Sequence, residues 1–290
     1  MKIFAANLQN KMLAASALLV MILSGGVVFF SSHRQPSTET LIYKTNDLEG
    51  PQQVSYGTID QVVQNSVRLW FKPENIKTYN GRLVEWKDAG PAHLTLKPSF
   101  NEGQLSVEKK AGEKIQGVSF EAGLFLKSEN ISRISVLKSS ERIAILTVFK
   151  DLKNTKKGSL MDLFGWGDCK NDRYLIHLNN NGSTDFHIGP IDNRIEGRPS
   201  PEFQNQLTLG VFIKDQAVMT TAVNGFMNGQ RQTKSTFSPD SKYSFMLGSS
   251  ECGNHFAGQI YEFLLLEFED PIEVQNAARH LINKYSLDIN

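Results

Sequence analysis

Phe256-Ala257-Gly258-Gln259-Ile260-Tyr261-Glu262-Phe263-Leu264-Leu265-Leu266-Glu267 is the stretch on which the fold class turns. A small residue and a glycine open it, and a nearly unbroken apolar, β-favouring run follows. A strand with one wet face alternates apolar and polar residues. A continuous run fits a strand buried on both faces, or one deep in a sandwich core. Upstream, Ser244-Phe245-Met246-Leu247-Gly248 reads as a second apolar strand ending in glycine. Before it, Val223-Asn224-Gly225 marks a hairpin turn, because Asn and Gly tolerate positive φ.

The same pattern extends back through the chain. Val67–Phe71, Gly81–Asp88, Gly117–Glu121, Leu124–Leu126 and Ile143–Lys150 are short β-favouring runs separated by Gly, Asn, Asp and Pro. So are Leu160–Gly165, Tyr174–Leu178, Phe186–Gly189, Leu207–Lys214 and Ala217–Asn224. In the last of these, Val218, Thr220 and Ala222 face one way and Met219, Thr221 and Val223 the other. Asp192–Asn205, with Pro199 and Pro201, reads as a surface loop. At least ten such strands predict an all-β, antiparallel, two-sheet jelly-roll sandwich. The end differs: Asp270 as N-cap, Pro271 at the first helical position and Glu273 at N3 predict a helix. Val274, Ala277, Ala278, Leu281, Ile282 and Tyr285 then recur at helical spacing.

Met12–Phe30 contains no charged residue, and Lys2 and Lys11 precede it. A bilayer-spanning helix takes about 20 apolar residues. A cleaved signal peptide competes with an uncleaved signal anchor, and Ser24 and Gly26 could serve a cleavage site. The apolar run continues past them through Val27, Val28, Phe29 and Phe30, which favours the anchor. The organisation expected is therefore a short cytoplasmic N-terminus (1–11), a transmembrane helix (12–30), a polar linker (31–66) and one domain (67–290). That domain would be periplasmic or extracellular.

Order and spacing carry a resemblance. Leu69-Trp70-Phe71 followed by Trp86-Lys87-Asp88-Ala89-Gly90 is similar to the opening of bacterial LamG-like domains. Gly117–Leu126 resembles their early hairpin, and the helix ending Leu281…Lys284-Tyr285 resembles their tail. The chain thus looks like a member of the concanavalin A-like lectin/glucanase superfamily over roughly residues 67–290. That resemblance implies a jelly roll that binds carbohydrate or protein, or hydrolyses glycans.

Hydrolysis in that superfamily uses paired carboxylates on one strand face, typically E-x-D-x-x-E, and no such spacing occurs. Glu262 and Glu267 are the best alternative acids, but five residues place them on opposite faces. Glu267 and Glu269 share a face at a strand end. No serine-hydrolase, zincin or P-loop motif is present. His177 and His187 lie in neighbouring apolar strands and read as core or rim histidines, while Trp70 and Trp86 read as core. Calcium is the one metal considered, at the oxygen-rich Asp168, Asn171 and Asp172; no other cofactor is expected. Cys169 and Cys252 are expected to be bonded, since the N-terminus argues for an oxidising compartment and the resembled fold can join their strand ends.

A net charge of +1 with interspersed lysines and acids argues against a nucleic-acid partner. The sequence therefore points to a membrane-anchored, non-catalytic envelope protein binding a glycan or a protein. A structural subunit of a pilus, secretion or motility assembly is the first alternative, and a carbohydrate-active hydrolase the second. The ligand is not legible.

Overall fold

A computed structural model describes residues 18–23, 26–31, 63, 65–99, 105–109, 116–120, 123–128, 141–151, 160–170, 173–179, 182–190, 193–197, 205–233 and 243–287. The described strands are β1 (Leu18–Leu23), β2 (Gly26–Ser31), β3 (Val67–Tyr79), β4 (Arg82–Asp88), β5 (Thr95–Pro98) and β6 (Ser106–Lys109). There follow β7 (Gln116–Phe120), β8 (Leu126–Ser128), β9 (Arg142–Asp151), β10 (Leu160–Gly167), β11 (Arg173–Asn179) and β12 (Thr184–Ile188). The series closes with β13 (Arg194–Glu196), β14 (Leu207–Asp215), β15 (Val218–Val223), β16 (Phe226–Gln232), β17 (Phe245–Leu247) and β18 (Gly258–Glu267), then helix α1 (Pro271–Tyr285).

Every described pairing is antiparallel. One sheet runs β2–β1–β16–β15–β14–β9–β18. The far edge of β18 is shared, β7 taking Gly258–Ile260 and β3 taking Phe263–Leu266. The other sheet runs β4–β5–β8–β17–β10–β11–β12–β13. β3 continues past Pro73 to pair with β4, so one long strand turns the corner between the sheets.

Between the sheets lies a core centred on aromatic rings. Phe164 sits 5.0 Å from Phe245 and 5.2 Å from Phe263, ring centre to ring centre, and Phe71 lies 5.8 Å from both Phe245 and Trp86. The second apolar layer is outside the first sheet. Ala144, Leu146 and Val148 of β9, Leu209, Val211 and Ile213 of β14, and Leu264 and Leu266 of β18 bury the inner stripe of α1. That stripe is Val274, Ala277, Ala278, Leu281 and Tyr285, as the helical spacing predicts. β9, β14 and β18 are therefore buried on both faces, which is why their sequences are continuously apolar. Trp70 is buried in the helix layer and Trp86 in the sandwich layer.

Asn224 (φ 44°) and Gly225 (φ 87°) form the expected hairpin turn between β15 and β16. Asp270 caps α1 by accepting from the Ile272 N–H at 2.9 Å, whereas Glu273 reaches one residue further back than a capping box requires, to the Glu269 N–H.

Two expectations are corrected. In place of a transmembrane helix over 12–30, β1 and β2 pair from Leu18↔Ser31 to Leu23↔Gly26, and Met21 pairs with Phe226. Val20, Ile22, Val27 and Val28 are β-branched, Phe29 and Phe30 aromatic, and Gly25-Gly26 disfavours helix, so an available sheet edge captures the segment as strand. No helix among the described residues is long and apolar enough to cross a membrane. Within Asp192–Asn205, the edge strand β13 forms because Ile195 is buried under the sheet, its charged neighbours facing water.

Candidate functional site

The N-terminal ends of β3 and β9, the β14–β15 turn, the C-terminal end of β18 and the start of α1 converge at one rim of the sandwich. They enclose a pocket of about 740 Å³ lined by Asn65, Ser66, Arg68, Glu141, Arg142, Gln216, Glu267, Phe268, Glu269 and Glu273. Arg68 donates from Nε to Glu267 Oε2 at 2.7 Å and from Nη1 to the Asn65 carbonyl at 2.8 Å. Arg142 bonds the Glu269 carbonyl at 2.6 Å and Asp215 at 3.0 Å. Ser66 donates to Glu273, whose carboxylate also accepts from the Glu269 N–H at 3.3 Å. Phe268 is buried. The wall is thus planar amide, carboxylate and guanidinium groups prearranged by one another, four glutamates facing two arginines. Such groups hydrogen-bond hydroxyl-rich ligands.

Glu267 lies in this pocket, ion-paired; Glu262 does not. A bulge at Tyr261 turns Glu262 toward α1, where it is fully buried. Its carboxylate accepts from Trp70 Nε1 at 2.6 Å, Lys284 Nζ at 2.7 Å and Tyr285 OH at 2.7 Å. Burial raises the Tyr285 phenol pKa, and the Glu262 charge raises it further. Glu262 fastens the helix to the sheet. The two alternative acids therefore stand in different surroundings, Glu262 buried under the helix and Glu267 in the rim pocket.

The outer face of the other sheet carries a buried polar row. Asp162 of β10 contacts His177 of β11 and accepts from Ser250, while Asn254 donates to it at 3.3 Å. The His177 ring stands 4.8 Å from His187 of β12, edge to face, so the two histidines do meet. Burial raises the Asp185 carboxyl pKa, and neighbouring Glu196 adds to that, against Arg194, His177 and Asn179. Cys169 and Cys252 are bonded, Cα atoms 5.0 Å apart, tying the β10–β11 turn to the loop after β17. Of the calcium candidates, Asp168 accepts from the Lys170 N–H at 2.8 Å as a turn cap, and Asn171 and Asp172 lie outside the described residues. Among the described residues, no three His, Cys, Asp or Glu side chains gather around a metal position.

The rim pocket was not legible beforehand. Its walls come from segments about two hundred residues apart, and of its residues the sequence marks only Glu267, Glu269 and the helix-cap Glu273. Elsewhere on the surface, Asn80 (φ 51°) and Gly81 (φ 75°) form an Asn-Gly hairpin turn that leaves Tyr79 72% exposed beside it.

No family model matches the chain, and no curated protein matches it. Solved structures match in fold. Domain 4 of AbnA, a GH43 extracellular arabinanase from Geobacillus stearothermophilus, in complex with arabinotriose, has a TM-score of 0.50 at 18% identity, over 73% of this chain and 99% of that one. The binding domain of botulinum neurotoxin DC in complex with SialylT has a TM-score of 0.53 at 11% identity, over 75% of this chain and 52% of that one. The crystal structure of HCR/D-Sa-GBL1/C gives a TM-score of 0.54 at 12% identity, over 76% of this chain and 52% of that one. The chain spans about half the length of these two structures. At such identities the likeness establishes the fold, a β-sandwich jelly roll.

Proposed function

We propose that this domain is a non-catalytic, LamG-like glycan-binding module of the cell envelope, and that the rim pocket holds the sugar. The pocket carries the reading. It is large enough for one or two sugar rings, and its planar polar groups suit hydroxyl recognition. Two of the structures that share the fold hold arabinotriose and SialylT, which supports a glycan as ligand class. Glycosidic cleavage needs one carboxylate free to give a proton and another free to attack or activate water. Glu267 is ion-paired to Arg68 and Glu273 is engaged by Ser66 and the Glu269 N–H, so the pocket's best-placed acids are already committed.

The test is a glycan array probed with the full chain, followed by calorimetry on the best ligand. Binding should fall at least about tenfold in Arg68→Ala, the loss of a charge-assisted hydrogen bond. A polysaccharide screen should show no turnover. Absence of any glycan binding, or binding indifferent to Arg68, would overturn the proposal.

A further inference from the structure

The two sulfurs of the Cys169–Cys252 disulfide stand in different fields. Both cysteines are half-buried. Arg173, only 3% exposed, donates from Nη1 to the Cys169 carbonyl at 2.7 Å and lies 3.7 Å from the Cys252 sulfur. Its Nη2 faces His187 Nδ1 at 3.5 Å. Burial lowers the guanidinium pKa, with Asp162 and Asp168 opposing, but an arginine starts so far above neutrality that it remains a cation. A desolvated positive charge therefore sits against Cys252 Sγ. Cys169 instead follows Asp168, whose carboxylate is held at the same turn. Glu251, next to Cys252, is exposed, so water screens it.

We propose that Cys169 is a site of S-thiolation by small thiols such as glutathione, with Cys252 departing as the thiolate. The attacking thiolate supplies the electron pair of the new sulfur–sulfur bond to Cys169 Sγ. The Cys169–Cys252 bond breaks, and its pair goes to Cys252 Sγ beside the Arg173 guanidinium. One disulfide is consumed and one formed, so no oxidant or reductant is required. The proton released when the thiol ionises ends on solvent or on Cys252. Exchange is faster when the leaving sulfur is the better thiolate, and a contacting cation makes it so.

The surrounding structure lets this happen without unfolding. The loop carrying Cys252 keeps its seat through other bonds: Ser250 and Asn254 to Asp162, the Gly248 N–H to the Leu163 carbonyl at 2.9 Å, and the Phe256 N–H to the Gly248 carbonyl at 2.9 Å. The released thiolate therefore stays beside Arg173, where it can re-form the original bond and expel the adduct. The site is a reversible cap rather than a broken staple.

The oxidised full chain is incubated natively with glutathione, quenched by alkylation and mapped by mass spectrometry. Glutathione should sit on Cys169 and the alkyl group on Cys252, in about tenfold excess over the converse. Arg173→Gln should slow the reaction by about tenfold and flatten that preference, while Arg173→Lys should keep both. Adducts mainly on Cys252, equal labelling, or no adduct at either cysteine would overturn the proposal. The wild-type labelling pattern decides the matter even if Arg173→Gln does not fold.

Discussion

Replacing Glu262 by alanine tests whether this carboxylate fastens the helix. The change strands two buried donors, Trp70 Nε1 and Tyr285 OH, each worth about 1–3 kcal/mol when left unpaired. Lys284 loses little by comparison. Its side chain is 22% exposed, so water reaches the ammonium, and it keeps the exposed Glu74 at 3.3 Å. The expected cost is therefore about 3–5 kcal/mol, which for a domain of this size lowers Tm by roughly 6–20 °C. Tyr285→Phe removes one donor to a charged acceptor and should cost about 1.5–3 kcal/mol. Its effect should shrink in the Glu262→Ala background, because the partner is already gone. Denaturant unfolding, followed by tryptophan fluorescence, measures all three variants. A Glu262→Ala loss below about 1 kcal/mol, or full additivity with Tyr285→Phe, would refute the reasoning. A catalytic Glu262 would give the opposite signature, unchanged stability with lost turnover.

Two further substitutions follow from the geometry. A methyl group added at Gly165 would stand 2.3 Å from Ser250 Cβ and 2.7 Å from its Cα, so Gly165→Ala must lift the loop off β10; a cost of about 1–3 kcal/mol with faster hydrogen exchange at residues 249–252 is expected, and wild-type behaviour in both would refute it. Burial raises the Asp151 carboxyl pKa, so its ionised form opposes folding; Asp151→Asn should stabilise the protein at pH 7, and the advantage should fade as pH falls through the raised folded pKa toward the unfolded one, a pH-independent difference between the two melting curves counting against this.

The parts of the fold legible in advance are those in which one strand reports its own environment. Phe256–Glu267 reads as buried on both faces because Phe263 and Leu265 meet the sandwich core while Leu264 and Leu266 meet the helix. The bulge at Tyr261 was not legible, since it exists to aim Glu262 at three donors supplied by β3 and α1. β5 and β6 were passed over because Thr95–Pro98 and Ser106–Lys109 are short and half polar, and become strands by completing a sheet. For the apolar stretch at 12–30, composition alone weighed a bilayer and not a neighbouring strand edge. The rim pocket was hidden for a related reason: Arg68, Glu141 and Gln216 are unremarkable surface residues until the strand ends bring them together.

The position of β18 has a consequence in time. It holds β9 on one side and β3 and β7 on the other, yet it is synthesised after all of them. Between the end of β9 at Asp151 and the start of β18 at Gly258 the ribosome must add about a hundred residues, which at 5–20 residues per second takes roughly 5–20 s. During that interval the apolar faces of β3 and β9 have no partner between them, and the layer that α1 covers is bare. The hairpins β3–β4 and β6–β7 and the pair β9–β14 can form before it, and one late segment joins them. How long those faces stay open to chaperones is thus set by the order of the strands along the chain.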